Sequence, residues 1–468
     1  MGQERENIEQ NLKCLEENIK RMNRFNEIKD TPIISYRHTT KHINLFLKKL
    51  VKKSIFWFIK PYWEQQIEFN QSVLGAIQDI YRVQCSQFNE TPLETLETID
   101  TEYQNFIEYK GARIIQIVSS LNYGDAVGND VIAIQDMLKN NGFVTGIFTN
   151  NIHPKIELGI AYKIEKMPKL KENDIVLYHF ASEDPLSELI KTLPCKVILR
   201  YHNITPPEFF KGFDSRAEKN TRIGLKQIKE LKDYIDYGMV VSEFNKQDLI
   251  KMGYTCPINV VPIIIKFEDY EQKPDQEIIK KYSDGITNLL FVGRIAPNKK
   301  FEDIISCFAE YKKQCDATAR LFLVGNYSED DKYYQFLQWH IKKLGVDDVI
   351  FSGHIPFTSI LAYYSIADIF LCMSEHEGFC VPLVEAMYFQ VPIIAYDSTA
   401  IASTLGGSGV LVKEKDYVLI SNEINKIRNN KIYERGIILA QCNRLEKFSN
   451  EQIKNNIRNN IKYLLDYK

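Results

Sequence analysis

The sequence predicts an α/β protein made of two doubly wound parallel sheets in succession, preceded by a helical stretch. Three observations carry this. From about residue 110 onward, short apolar runs alternate with longer amphipathic ones, the pattern of strand–helix–strand units. The alternation breaks near residue 270 and starts again. The chain has 468 residues, more than one hydrophobic core organises.

Residues 1–108 lack the alternation. Ile8, Leu12, Leu15, Ile19 and Met22 recur at helical spacing, a short heptad pattern that serves equally for pairing with a second copy or for packing on the rest of the chain. The segment 41–63 carries Lys41, Lys48, Lys49, Lys52, Lys53 and Lys60 and no acidic residue. Phe46, Leu50, Ile55, Trp57, Phe58 and Trp63 interleave with them, so the segment suits either an anionic membrane surface or an internal contact. A polar connector follows at 89–104.

Residues 109–268 form the first predicted sheet domain, with strands at 113–120, 142–148, 174–180, 196–202 and 237–242. Residues 269–440 form the second, with strands at 288–293, 319–325, 348–353, 368–373 and 391–396. Residues 441–468 end in a helical run assigned back to the first domain. Two such sheets enclose a cleft, and ligands bind beyond the carboxyl ends of their strands.

Composition narrows the function. Hydrophobic residues make up 44% and charged residues 26%, ordinary globular values. A net charge of −2 gives no case for nucleic acid. Nine scattered cysteines without a CxxC pair point to reduced thiols, and to neither a disulfide frame nor a zinc site. The first 30 residues are charged throughout, unlike a secretory leader, and no long uncharged apolar run reads as a membrane span. The expected location is cytoplasmic, with attachment to the inner membrane face through 41–63 as an extension of that expectation.

The chemistry concentrates at strand ends. SEHEGFCVPLVEAM (374–387) leaves an apolar strand and enters a helix with Pro382 in its first turn. Glu377 sits in the loop and Glu385 a turn into the helix. Carboxylates accept hydrogen bonds from vicinal diols, and a helix start favours phosphate, so the pairing fits a nucleotide sugar. VGRIAPNKK (292–300) places Gly293, Arg294 and Lys299 at another strand end, two cations able to grip a diphosphate. SGHIP (352–356) offers His354 and Ile355 with free backbone groups for a base. In the first domain, SLNYGDAVGND (120–130) brings Gly124 and Gly128 close to a helix expected to start near Asn129. YHNITPP (201–207) sets His202 at a strand end. No clustered Asp/His set is evident, so no metal and no cofactor is expected; Asp330-Asp331 and Asp347-Asp348 read as solvated turns.

These motifs resemble the retaining family-4 glycosyltransferases of GT-B fold, over roughly three quarters of the chain. EGFCVPLVEA is similar to that family's E-x7-E signature, GRIAPNKK to its phosphate loop, and FSNEQIKNNIRNNIKYLLDY (448–467) to its final helix. GDAVGND and YHNITPP resemble first-domain loops of members that build bacterial polysaccharides. The resemblance implies a nucleoside-diphosphate sugar as donor and a glycan, lipid-linked glycan or glycoprotein as acceptor. It implies Glu377 on the donor sugar hydroxyls and Glu385 on the ribose. It implies Arg294 and Lys299 on the diphosphate, with Gly378, Phe379, Cys380 and Val381 at the helix start beside it. Gly128 would let its loop reach the donor, and His202 would stand near the reacting sugar. Cys380, Gln390 and Lys300 stand where the family usually has glycine, and Cys380 is expected to narrow the loop near the sugar. An epimerase of the same fold and a silent binding scaffold are the rival readings.

Overall fold

The computed structural model describes residues 103–107 and 110–466. The heptad at 8–22, the basic segment 41–63 and most of the connector 89–104 lie outside them.

Two all-parallel sheets form as the apolar runs require. Strands covered by helices on both faces have no polar side, so they read as continuous hydrophobic stretches. The first sheet holds β1 (Ile114–Leu121), β2 (Thr145–Ile152), β3 (Ala161–Lys163), β4 (Ile175–Phe180), β5 (Lys196–Tyr201), β6 (Tyr237–Val240) and β7 (Ile258–Val260), in the order β3-β2-β1-β4-β5-β6-β7. The second holds β8 (Asn288–Val292), β9 (Arg320–Val324), β10 (Val349–Gly353), β11 (Ile369–Cys372), β12 (Ile393–Tyr396) and β13 (Val410–Val412), in the order β10-β9-β8-β11-β12-β13. Every pairing between these strands is parallel, for example Ile114 opposite Thr145 and Leu289 opposite Leu321. β3, β7 and β13 are not among the strands the sequence predicts. Each has three residues, too few to show a period.

The helix Ala126–Asn140 starts earlier than predicted. Asp125 caps it, accepting from the Gly128 N–H at 2.6 Å, so Gly128 lies inside the first turn. An Asp at this position satisfies a donor that the helix itself leaves open. The last helix, Asn450–Asp466, follows the second sheet in sequence but packs on the first. Ile453, Ile457, Ile461 and Leu464 lie on one stripe and join Ile114, Ile134, Leu177 and Met239 in one core. Tyr237 donates to Asn460 at 3.1 Å on the same face. The second sheet has its own larger core, built on Phe291, Phe322, Phe370 and Leu383.

Asp347 and Asp348 are not merely solvated. Both carboxylates pair with Lys312 at 2.6 Å.

Candidate active site

Each sheet reverses its strand order beside its own first strand: β1 lies between β2 and β4, and β8 between β9 and β11. A crevice opens at such a point. Arg294 and Lys299 follow β8, Glu377 to Val381 follow β11, Gly128 follows β1, and His202 follows β5.

Lys299 and Glu377 meet directly. The ammonium donates to both carboxylate oxygens, at 2.6 and 2.7 Å. Burial works against the lysine charge, but the facing carboxylate outweighs it and lifts the pKa above the ordinary lysine value. The two loops are laced together around this pair. Asn298 donates to the His376 carbonyl at 2.9 Å and its own carbonyl accepts from the Glu375 N–H at 2.9 Å. The Glu377 N–H donates to Thr399 Oγ1 at 2.9 Å. Arg294 is exposed and has no ion pair with any described residue.

The floor beside Arg294 is bare backbone. Gly293 donates to the Val324 carbonyl at 2.8 Å, and a Cβ on Gly325 would stand 2.0 Å from the Gly293 oxygen. Gly325 in turn bridges Gly353. The sequence reading singled out Gly293 and passed over Gly325; the recurrence of glycine at three strand ends is the signal that reveals it. His354 and Ile355 lie beyond β10, separated from β8 by β9; His354 is exposed and Ile355 packs on the second core.

The helix Val381–Tyr388 has no side-chain cap, and Pro382 stands in its first turn. Cys380 precedes it at φ 70°, and Lys300 and Gln390 have φ 55° and 56°. All three residues that replace a family glycine are thus in the left-handed region that glycine favours. The Cys380 thiol is buried against Cys372 at the end of β11. The same thiol lies near the Lys299–Glu377 pair, whose charges act on it.

Glu385 is held by two tyrosines that sequence reasoning missed. Tyr270 donates to Oε1 at 3.0 Å and Tyr364 to Oε2 at 2.7 Å. Burial raises the carboxyl pKa and the two hydroxyls oppose the rise. Each oxygen retains a second lone pair for a ligand hydroxyl.

Across the cleft, the first domain touches this loop. A Cβ on Gly378 would lie 2.4 Å from the His202 carbonyl oxygen and 2.8 Å from Asn203 Cβ, so only glycine fits. His376 bonds Asn203 Oδ1 at 2.6 Å and lies against the rings of Phe209 and Phe244. Gly128 makes a close approach within its own loop. Its Cβ would strike the Asn122 carbonyl at 2.2 Å, so it tightens its own loop.

The His202 ring is 3% exposed and 3.2 Å from His179, with Asp130 at 4.0 Å. The sequence shows no such cluster because its members come from a helix and two strands. Asp130 is already engaged: Arg200 Nε donates to Oδ2 at 2.9 Å. Burial, with the Arg200 charge adding to it, holds the His202 ring well below its ordinary pKa.

Residues 273–450 match the family model described as glycosyl transferases group 1. That stretch contains the whole second sheet, so the likeness to group 1 glycosyl transferases lies in the second domain. The O-antigen chain mannosyltransferase B of Escherichia coli is 22% identical over 239 residues, which cover 49% of this chain and 60% of that protein. Among solved structures, sucrose-phosphate synthase from Thermosynechococcus elongatus superposes with a TM-score of 0.60 at 17% identity, covering 76% of this chain and all of that one. The Anabaena protein HepE in complex with UDP-glucose gives 0.57 at 17% identity, covering 75% and 99%. The fold is GT-B: two Rossmann-like domains, the second carrying the match to the family model. At these identities the likeness concerns the fold.

Proposed function

We propose that this chain is a retaining glycosyltransferase. It moves a sugar from a nucleoside-diphosphate sugar to a hydroxyl of a glycan or lipid-linked glycan, in the synthesis of a bacterial cell-surface polysaccharide. The observation that carries the reading is the Lys299–Glu377 pair beside an uncapped helix start, with the exposed Arg294, at the switch point of the second sheet. Arg294, Lys299 and the backbone from Gly378 to Val381 receive the diphosphate, whose negative charge grows as the glycosidic bond breaks. Glu377 orients donor hydroxyls, and Glu385 with Tyr270 and Tyr364 receives the ribose. His202 stands beside the reacting sugar. The transition state has oxocarbenium character. The leaving phosphate takes the proton of the incoming hydroxyl on the same face, so no protein nucleophile is required. The E. coli relative, an O-antigen mannosyltransferase, supports the polysaccharide context, and the UDP-glucose complex of HepE supports the donor class. Segment 41–63 holds the enzyme at the inner membrane face, near a lipid-linked acceptor.

The test is a thermal-shift screen of UDP-, GDP- and dTDP-sugars followed by transfer assays with proton NMR of the product. Donors of one base should raise the melting temperature, because a ligand of the native state stabilises it. The new linkage should keep the donor's anomeric configuration. Inversion would overturn the retaining mechanism. Binding without transfer to any acceptor would overturn the enzyme.

A further inference from the structure

Behind His202 runs a buried hydrogen-bonded chain whose polarity one backbone group decides. The Val131 carbonyl can only accept, and Gln116 Nε2 donates to it at 3.2 Å. The same nitrogen donates to Gln135 Oε1 at 3.2 Å, which also accepts from Thr145 Oγ1 at 3.0 Å. Gln116 therefore turns its oxygen toward His179 Nε2, at 2.9 Å, and that nitrogen must carry a proton. A neutral imidazole holds one proton, so His179 Nδ1 is an acceptor. It faces His202 Nε2 at 3.2 Å, which makes His202 Nε2 the donor. His202 Nδ1 is left without a proton. It is buried and has no hydrogen-bond partner among the described residues. Burial keeps both rings neutral; at His179 the neighbouring His202 and Arg200 add to the effect and Asp130 opposes it.

We propose that Gln116 and His179 are positioning residues that lock His202 in its Nε2–H tautomer, leaving Nδ1 as a bare acceptor for a ligand hydroxyl. An unprotonated Nδ1 can take a hydrogen bond from a hydroxyl but cannot give one to a phosphate, so the lock decides which part of a bound molecule the ring serves. The use of this lock in catalysis rests on the glycosyltransferase reading; the tautomer itself does not. A divalent cation held by Asp130, His179 and His202 is the competing use of the same atoms. It is opposed by Arg200, whose Nε already lies 2.9 Å from the Asp130 oxygen that would bind it.

Histidine-selective nitrogen-15 NMR on the full chain, without ligand, tests the lock. The His202 signals, assigned by loss in His202→Asn, should show a protonated Nε2 and an unprotonated Nδ1 at pH 7.5. His179→Phe removes the acceptor and should let the Nδ1–H tautomer appear. His179→Asn puts an amide oxygen near the lost Nδ1 and should restore the wild-type pattern. Turnover at saturating donor should fall roughly tenfold in His179→Phe, the worth of one hydrogen bond, and recover in His179→Asn, with nucleoside-diphosphate affinity unchanged in both. A wild-type Nδ1–H signal, or an unaltered His202 spectrum in His179→Phe, overturns the proposal. So does a shift of the His179 and His202 signals on adding zinc. The wild-type spectrum decides alone should His179→Phe not fold. A locked tautomer in a protein that transfers no sugar would count against the proposed activity and not against the lock.

Discussion

At the scale of single residues, the site depends on charge that is already paired before any ligand arrives. Glu377 holds Lys299 through both oxygens, so a donor must compete with or join that pair. Glu377→Gln should keep the fold and lose most transfer, since charge-assisted hydrogen bonds are worth about 1.5–3 kcal/mol. Arg294→Ala should instead weaken binding of the free nucleoside diphosphate, because its guanidinium has no ion-pair partner among the described residues to lose. Calorimetry with the nucleoside diphosphate separates the two: wild-type affinity in Arg294→Ala would remove that residue from the phosphate site. A second residue-scale consequence concerns Gln390, exposed at φ 56°. A left-handed conformation costs an ordinary residue roughly 1–2 kcal/mol. Glycine would remove that cost but give back about 0.5–1 kcal/mol of chain entropy. Relief is the larger effect, so Gln390→Gly should stabilise by about 0.5–1 kcal/mol in urea titrations. A lower midpoint at equal slope would show that the Gln390 side chain makes a contact worth more than the strain.

At the scale of elements, the strands of four or more residues were legible because parallel strands buried on both faces spell themselves as apolar runs. β4 reads IVLYHF and β8 reads NLLFV, and every residue of both is buried. The three-residue strands were not legible, since their pairing comes from neighbours and not from their own pattern. Residues that line strand ends could be found from the sequence because topology places crevices there. Residues that meet only in three dimensions could not: Tyr270 and Tyr364 on Glu385, or Asn203 on His376. The last of these contacts makes a pH prediction. Burial pushes the His376 pKa down to about 4 from the ordinary 6.5, with Glu377 opposing and Lys299 assisting. The unfolded chain therefore binds the proton more readily. Stability from this group is complete above pH 6.5 and is lost as pH falls toward 4, by at most roughly 3 kcal/mol. His179 and His202 act in the same direction. Urea midpoints should fall from pH 7 to pH 5, and His376→Gln should flatten part of that slope. An identical slope in His376→Gln would mean that the ring is not buried between Phe209 and Phe244.

At the scale of the whole molecule, the two sheet domains are joined by the last helix and by several contacts, among them Phe213 against Tyr333 and Phe336. Asn450–Asp466 returns to the first core, and the backbone at His202 rests on Gly378. Among the described residues no helix is long and apolar enough to cross a membrane. The attachment proposed is at the membrane surface, and segment 41–63 has the composition for it. Lys48, Lys49, Lys52 and Lys53 alternate with apolar residues, without an acid among them. Each lysine near an anionic surface contributes roughly 1 kcal/mol, so four reach the range of reversible binding. That attraction is screened over about 10 Å at moderate salt, so it must weaken as salt rises. The full chain should sediment with vesicles containing anionic lipid at low salt. It should return to the supernatant with added salt, and with the four lysines changed to Glu. Burial of Phe46, Trp57 and Trp63 inside the protein predicts a different result: no sedimentation at any salt, and loss of stability rather than of binding when the aromatics are replaced by Ala. That result would move the acceptor away from the membrane and make a free glycan the hydroxyl to look for.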